Sequence, residues 1–99
     1  MDKPDLILIE TICFHYKIEI SFIKDLENIG LIKVVTFENN KFIHQDKISD
    51  LEKMIRLHHE LNVNIEGIDV VFNLLQQQLK LKEEVNTLKN KLQFYKNNY

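Results

Sequence analysis

The stretch from Asn64 to about Asn97 has the pattern of one uninterrupted helix, and it most constrains the fold of this 99-residue chain. It contains no proline, and its only glycine, Gly67, falls in the first turn of the predicted helix. Asn64 is a favourable N-cap, and Val63 can pack on Ile68 as a hydrophobic staple. Such a helix would be about 50 Å long. Because a globule of this size is narrower than that, we expect the helix to extend beyond the domain.

Two apolar stripes give the halves of this helix different roles. The first stripe comprises Ile68, Phe72, Leu75 and Leu79. Because it widens the apolar face, we expect the N-terminal half to be buried in a domain. The second stripe continues at heptad spacing between lysines and glutamates, as in a coiled-coil strand. It predicts a homodimer with six interface residues: Leu74, Leu81, Val85, Leu88, Leu92 and Tyr95. The alternative is a monomer whose helix folds back on its own domain.

The N-terminal third has the pattern of two short helices. The first is predicted to end near His15, and its apolar residues fall at helical spacing: Ile9, Ile12, Cys13 and Tyr16. Residues 17–19 have room only for a tight turn. A second helix is predicted from Ile20 to Asn28, with an inner side formed by Phe22, Ile23, Leu26 and Ile29. Gly30 lies where a left-handed residue often ends a helix. Two short helices joined by such a turn form a helix-turn-helix unit.

A small β-hairpin is predicted after these helices. Leu31–Thr36 is rich in branched residues, and Lys41–Ile43 is a plausible partner strand. Between them, Asn39 and Asn40 can adopt the positive φ angles that a tight hairpin turn requires. The hairpin would form a wing beside the helix-turn-helix unit.

A third helix is predicted to start near Lys47 with Asp46 as its cap, or at Ser49 with a capping box completed by Glu52. It is predicted to end at Asn62. The fold class is therefore mostly α (α+β). We predict a winged helix-turn-helix domain over residues 1–63 and a long dimerisation helix over residues 64–99.

Composition excludes several classes of protein. Charged residues make up 28% and hydrophobic residues 44% of the chain, as in soluble folded domains. The single cysteine, Cys13, excludes an intrachain disulfide and fits a reducing compartment. The longest aliphatic run is too short to span a bilayer, and the chain does not start like a signal peptide. We therefore expect a cytoplasmic protein without a membrane partner.

The order of these elements and several motifs resemble one known family. The motifs are Phe14-His15-Tyr16, Glu19 with Phe22-Ile23, Gly30-Leu31-Ile32, Phe42-Ile43 and, as the most specific, LEKMIRLHHELNVNIEGI from Leu51 to Ile68. From about Leu8 to Leu92 the chain resembles the chaperone-modulator (CbpM-type) branch of the MerR-like winged helix-turn-helix superfamily. It departs from the pattern at Leu8, where members often have a Ser or Thr helix cap. The resemblance implies a regulator that binds and inhibits a CbpA-type J-domain (DnaJ-like) co-chaperone.

The wider superfamily provides an alternative function, that of a dimeric DNA-binding transcriptional regulator. Residues 17–44, which cover the second helix and the wing, contain four lysines and four acidic residues. The only arginine, Arg56, lies in the third predicted helix. Because phosphate neutralisation supplies most of the affinity for DNA and arginine reads guanine, direct DNA binding is not expected. The charge pattern favours a protein partner.

Six carboxylates are candidate partner-binding residues. J-domains present a basic second helix, so the resemblance suggests a complementary acidic surface on this chain. The candidates are Glu10, Glu19, Asp25, Glu27, Asp50 and Glu66. This hypothesis predicts weaker binding with added salt and in the Asp25→Lys and Glu27→Lys variants. The alternative is that these residues belong to an ordinary solvated surface.

No catalytic, cofactor-binding or metal-binding residue is predicted. His58 and His59 are adjacent on a helix and point about 100° apart, so they do not form the zinc motif HExxH. We expect His58 to pack in the core. Cys13 and His15 lack the two further ligands that a structural zinc site needs. With only two glycines the chain has no glycine-rich phosphate loop, and we do not expect an enzyme or a cofactor.

Overall fold

The computed structural model describes residues 5–97, so the ends of the two predicted domains, 1–4 and 98–99, lie outside the described residues. The described chain is mostly helical with a small antiparallel sheet, which confirms the predicted fold class. It divides into two compact units, the first ending at Asp69 and the second beginning at Val70. The elements in chain order are β1 (Leu6–Leu8), α1 (Ile9–Tyr16), α2 (Ile20–Asn28), β2 (Val35–Phe37), β3 (Asn40–His44), a 3-10 turn (Gln45–Lys47), α3 (Ile48–Leu61) and α4 (Ile65–Asn97).

The turn between α1 and α2 confirms the predicted helix-turn-helix unit. Lys17 adopts a left-handed conformation (φ 57°) and caps α1, whose last residue, Tyr16, lies one residue beyond the predicted end. The Ile18 N–H donates to the Cys13 carbonyl at 3.1 Å. The Phe22 N–H then donates to the Glu19 carbonyl at 3.0 Å as α2 begins. Residues 17–19 are thus the only break between the two helices.

The end of α2 depends on the glycine that the sequence indicated. Gly30 has φ +88°, and its N–H donates to the Glu27 carbonyl at 3.0 Å. The Leu31 N–H donates to the Leu26 carbonyl at 2.9 Å, so the two bonds complete a Schellman motif. No atom lies within 4 Å of the position that a Cβ would take at Gly30. The positive φ, and not crowding, therefore favours glycine here.

The sheet contains a strand that the sequence analysis missed. The strand order is β1-β3-β2, with both outer strands antiparallel to β3. Leu6–Leu8 form β1, although the sequence analysis predicted no strand before the first helix. The pairing of β1 cannot be predicted from neighbouring residues, because Leu8 lies opposite Phe42, which is distant in the sequence.

The hairpin turn lies one residue earlier than predicted. Glu38 and Asn39 have positive φ values of 51° and 64°, whereas Asn40 already belongs to β3. The predicted turn at Asn39 and Asn40 is therefore wrong. The register explains the shift, because Val35 pairs with Phe42 and this alignment leaves residues 38–39 as the two-residue loop. Strand β2, the first strand of the hairpin, also begins later than predicted, at Val35.

The caps proposed for α3 are wrong. The 3-10 turn leads directly into the helix, Lys47 occupies the N-cap position, and no side chain caps the first turn. Asp46 lies inside the 3-10 turn and Ser49 inside the helix, so neither occupies the capping position. Asn62, in a left-handed conformation with φ 56°, ends α3 as predicted.

The predicted cap of α4 is confirmed. The Asn64 Oδ1 accepts a hydrogen bond from the Gly67 N–H at 2.8 Å. A Cβ at Gly67 would lie 2.7 Å from Val63 Cγ1 and 3.1 Å from Asn64 Oδ1. Glycine at this position therefore permits the close approach of the residues that precede the helix.

Apolar residues of the first unit form the core. The buried set is Ile9, Ile12, Ile18, Phe22, Ile23, Leu26, Ile43, Leu51, Met54, Ile55 and Ile68. In the first stripe of α4, Ile68 and Phe72 are buried, but Leu75 and Leu79 are 39% and 61% exposed. The expectation that burial reaches Leu79 is therefore wrong. Periodicity shows which face of a helix is apolar, but it does not show how far another element covers that face.

Candidate partner-binding surface

A groove follows one side of α2 in the first unit. Its first part has a volume of about 370 Å³ and is lined by Lys17, Ile18, Glu19, Ser21, Phe22, Asp25, His58, His59 and Ile65. A second part of about 500 Å³ is lined by Asp25, Asn28, Ile29, His58, Asn64, Ile65 and Glu66. Because the two parts share Asp25, His58 and Ile65, we treat them as one surface, called the α2 groove.

His58 joins three segments of the chain at the base of the α2 groove. Its ring stacks on Phe22 of α2, with centroids 4.7 Å apart and planes inclined by 26°. Its Nδ1 lies 3.2 Å from the Val63 carbonyl oxygen, so Nδ1 carries the proton that this hydrogen bond requires. His58 is only half-buried, so it packs against α2 but does not belong to the core as expected. It links α2, α3 and the segment that precedes α4.

Three of the six candidate carboxylates line the α2 groove. Glu19 lies in the first part, Glu66 in the second, and Asp25 in both. These residues come from the turn before α2, from the first turn of α4 and from α2 itself. All three are exposed, so their charges are available to a partner.

The other three candidates lie elsewhere. Glu10 belongs to α1, Glu27 to α2 and Asp50 to the first turn of α3, and none of them lines the groove. Glu10 and Glu27 are exposed, whereas Asp50 is half-buried. The candidates therefore do not form a single surface.

The two elements with which a winged helix reads DNA have no net positive charge. On α2, Lys24 is outnumbered by Asp25 and Glu27. In the β2–β3 hairpin, Lys41 is matched by Glu38. Arg56 is exposed, but it lies on α3.

A second long-range contact joins α1 to α3. The Tyr16 hydroxyl donates a hydrogen bond to Glu52 Oε2 at 2.5 Å. This bond, together with burial and the carboxylate charge, raises the pKa of Tyr16. The contact links residues 36 positions apart. The sequence analysis placed Tyr16 only on an apolar stripe and missed this role.

Cys13 has the environment of a packing residue. Burial, and secondarily the carboxylate of Glu10, raises the pKa of its thiol. A thiol that stays protonated is a poor nucleophile and a poor metal ligand. Among residues 5–97, no group of three or more His, Cys, Asp or Glu side chains is arranged to hold a metal ion.

Some lining residues gave no recognisable signal in the sequence. His59 and Ile65 were not predicted to contribute to a site, and Phe22 was expected only to face the core. They come together because α3 returns to α2 after the hairpin, and such a contact leaves no local pattern. Phe14, on α1, is 86% exposed and lies outside the groove.

The predicted dimer seam forms an exposed apolar stripe on α4. The exposed fractions of its six side chains range from 47% for Val85 to 64% for Leu88. Leu81 and Val85 also line a hollow of about 420 Å³ with polar neighbours from the same helix. Pairing through this seam stays a prediction. Within residues 5–97, no helix combines the length and the apolar character needed to cross a membrane.

Comparison with known proteins identifies a family for most of the chain. The family model described as MerR HTH family regulatory protein matches residues 7–90. The match begins in β1, covers the helix-turn-helix unit, the hairpin and α3, and continues far into α4. Comparisons with curated proteins and with solved structures found no match.

Proposed function

Because this chain belongs to the MerR HTH family of regulatory proteins, we propose that it is a non-catalytic regulator that binds and inhibits a J-domain co-chaperone of the CbpA type. The family membership supports a regulator, and the resemblance of residues 51–68 to chaperone modulators supports this class of partner. A single cysteine, which cannot form an intrachain disulfide, fits the proposed action in the cytoplasm.

The charge of α2 and the hairpin is the observation that carries this proposal. A DNA-binding winged helix gains most of its affinity by replacing counterions at phosphates with lysine and arginine. In this chain α2 carries one lysine and two carboxylates, and the hairpin has no excess of positive charge. Such a surface lacks the positive charge that binding to phosphates requires, and this supports a protein partner over DNA.

The mechanism of the proposed inhibition is occlusion. A J-domain uses its basic second helix for its own interactions, and an acidic surface docked on that helix would block them. Opposite charges speed the encounter and orient the partners. The regulator needs no cofactor for this action.

In the same proposal the chain acts as a homodimer. The seam of α4 exposes apolar side chains along the helix, and a long amphipathic helix is only marginally stable alone in water. Pairing two seams at heptad spacing would bury these side chains as knobs in holes.

A pull-down with purified protein tests the proposed function. The immobilised chain is incubated with host lysate, and the eluate is analysed for J-domain proteins. In parallel, binding to genomic DNA fragments is measured over a range of salt concentrations. Recovery of a CbpA-type protein, whose co-chaperone activity the purified chain then suppresses, is the expected result. Salt-sensitive retention of DNA without any J-domain protein would favour the alternative, a dimeric transcriptional regulator.

A further inference from the structure

We infer that the α2 groove is the docking site for the basic face of a partner helix, and that it receives the long side chain of a lysine or arginine beside Asp25. The inference rests on the proposed function for the identity of the partner protein. It specifies the surface of this chain that binds the partner and the side chains of the partner that this surface recognises.

The charge of the groove selects a cation. Glu19, Asp25 and Glu66 contribute three carboxylates, and Lys17 is the only lysine or arginine among the described lining residues. The remaining titratable lining residues are His58 and His59. An anionic ligand such as phosphate would face three carboxylates with only Lys17 to compensate them, whereas a basic side chain would find an opposite charge in both parts of the groove.

The apolar part of the groove selects a long side chain. Ile65 and the ring of His58 lie in both parts, next to Asp25, and Ile18 and Ile29 extend this apolar lining. Lysine and arginine bury their methylene stems on apolar surface while the charged end reaches a polar group. A small cation such as Na⁺ would use only the carboxylates and leave the apolar wall uncovered.

The length of the groove fits a helix of the partner. The groove follows α2, which has nine residues and is therefore about 13 Å long. A partner helix presents basic residues on one face about 6 Å apart at a spacing of four residues. Two such side chains fit within the length of α2, and one of them would lie beside Asp25, which lines both parts of the groove.

The rigidity of the walls favours selective binding. The Phe22–His58 stack and the bond from His58 to the Val63 carbonyl link α2, α3 and the segment that precedes α4. The N-cap bond between Asn64 and Gly67 fixes the wall that carries Glu66. A preformed groove loses little conformational entropy when the partner binds.

Two charge reversals on the same helix test this inference. Asp25 lines both parts of the groove, whereas Glu27 is exposed on α2 and lines neither. Affinity for a purified CbpA-type J-domain is measured by calorimetry with the parent chain, Asp25→Lys and Glu27→Lys. We expect Asp25→Lys to weaken binding at least about tenfold and Glu27→Lys by no more than about twofold. Circular dichroism verifies the fold of both variants, and Asp25→Asn provides a milder change with the same expected direction.

Equal weakening by the two reversals would overturn the inference, because it would indicate a general charge effect. Unchanged affinity of Asp25→Lys would also overturn it. Nuclear magnetic resonance distinguishes failure of the groove inference from failure of the proposed function. A synthetic helical peptide with lysines four residues apart is added to the labelled full chain, and we expect shifts of the amide signals near Asp25 and Glu66.

The two probes give distinct outcomes. If the J-domain binds but shifts signals only in α1 or the hairpin, the proposed function holds and the groove inference is wrong. If the lysine peptide binds in the groove but no J-domain binds, the inference about the chemistry of the groove holds and the proposed partner is wrong. If neither probe shifts the signals of the groove, the inference is wrong.

Discussion

Single residues far apart in the sequence fix the short helices of the first unit. Tyr16 bonds Glu52 between α1 and α3, and Phe22 stacks on His58 between α2 and α3. The sequence predicted that Tyr16, Phe22 and His58 face inward, because their helical spacing shows it. It did not predict their partners, since each partner lies on an element whose position depends on the whole fold.

The Tyr16 hydroxyl is expected to stabilise the fold in a pH-dependent way. Removing its bond to a carboxylate in Tyr16→Phe should lower the free energy of unfolding by about 1 kcal/mol at neutral pH. Because the bond raises the pKa of Tyr16, its contribution is complete below the ordinary tyrosine pKa of about 10 and is lost as pH rises through the raised value. Urea unfolding at neutral and alkaline pH measures the difference between parent and variant. A difference that persists undiminished in strong alkali would contradict this account.

Gly67 is expected to resist a substitution that usually favours helices. An alanine Cβ would lie 2.7 Å from Val63 Cγ1, and the valine side chain is stiff. Gly67→Ala should therefore lower the free energy of unfolding by about 1 kcal/mol, although alanine has a helix propensity about 1 kcal/mol more favourable than glycine. The control is the same change in a Val63→Ala background, where the clash is removed. There Gly67→Ala should be neutral or stabilising in thermal unfolding, and equal destabilisation in both backgrounds would exclude the clash.

At the scale of elements, the sequence predicted what local chemistry determines. The four α-helices of the described chain, the glycine after α2 and the Asn64 cap all follow from spacing and capping preferences. It missed β1, because a three-residue strand is defined by its pairing with β3. It also placed the hairpin turn one residue late. The pairing of Val35 with Phe42 sets the turn at residues 38–39, and this outweighs the preference of Asn39 and Asn40 for turn positions.

The site was predicted less completely than the fold. Composition and the resemblance pointed to acidic residues, and three of the six line one groove. The other three do not, because charge and exposure are properties of single residues, whereas a groove depends on how helices pack. The separation of Asp25 from Glu27 shows this, since the sequence analysis assigned both the same role.

Self-association through α4 is expected to depend on the seam alone. Leu81 lies on the seam and Leu79 does not, yet they are 60% and 61% exposed on the same helix. Leu81→Lys should shift the chain from dimer towards monomer, because it places a charge in the paired interface. Leu79→Lys should leave the oligomeric state unchanged. Sedimentation velocity measures both, and equal effects of the two substitutions, or a monomeric parent, would contradict the predicted seam.

At the scale of the whole molecule, the proposed function rests on the distribution of charge. The formal net charge of the chain is −2, and the surface expected to read DNA shares this lack of positive charge. The family to which the chain belongs consists of helix-turn-helix regulators, and its description does not specify what each member binds. The proposal of a protein partner therefore rests on the carboxylates of the α2 groove and on the lack of positive charge in α2 and the hairpin.

The affinity of the purified chain for a purified CbpA-type J-domain tests this account most directly. Calorimetric titration at physiological ionic strength should give saturable binding that weakens as salt is added, because opposite charges contribute to the complex. Absence of binding to the J-domain, together with a shift of a specific DNA duplex by the chain alone under the same conditions, would contradict the account.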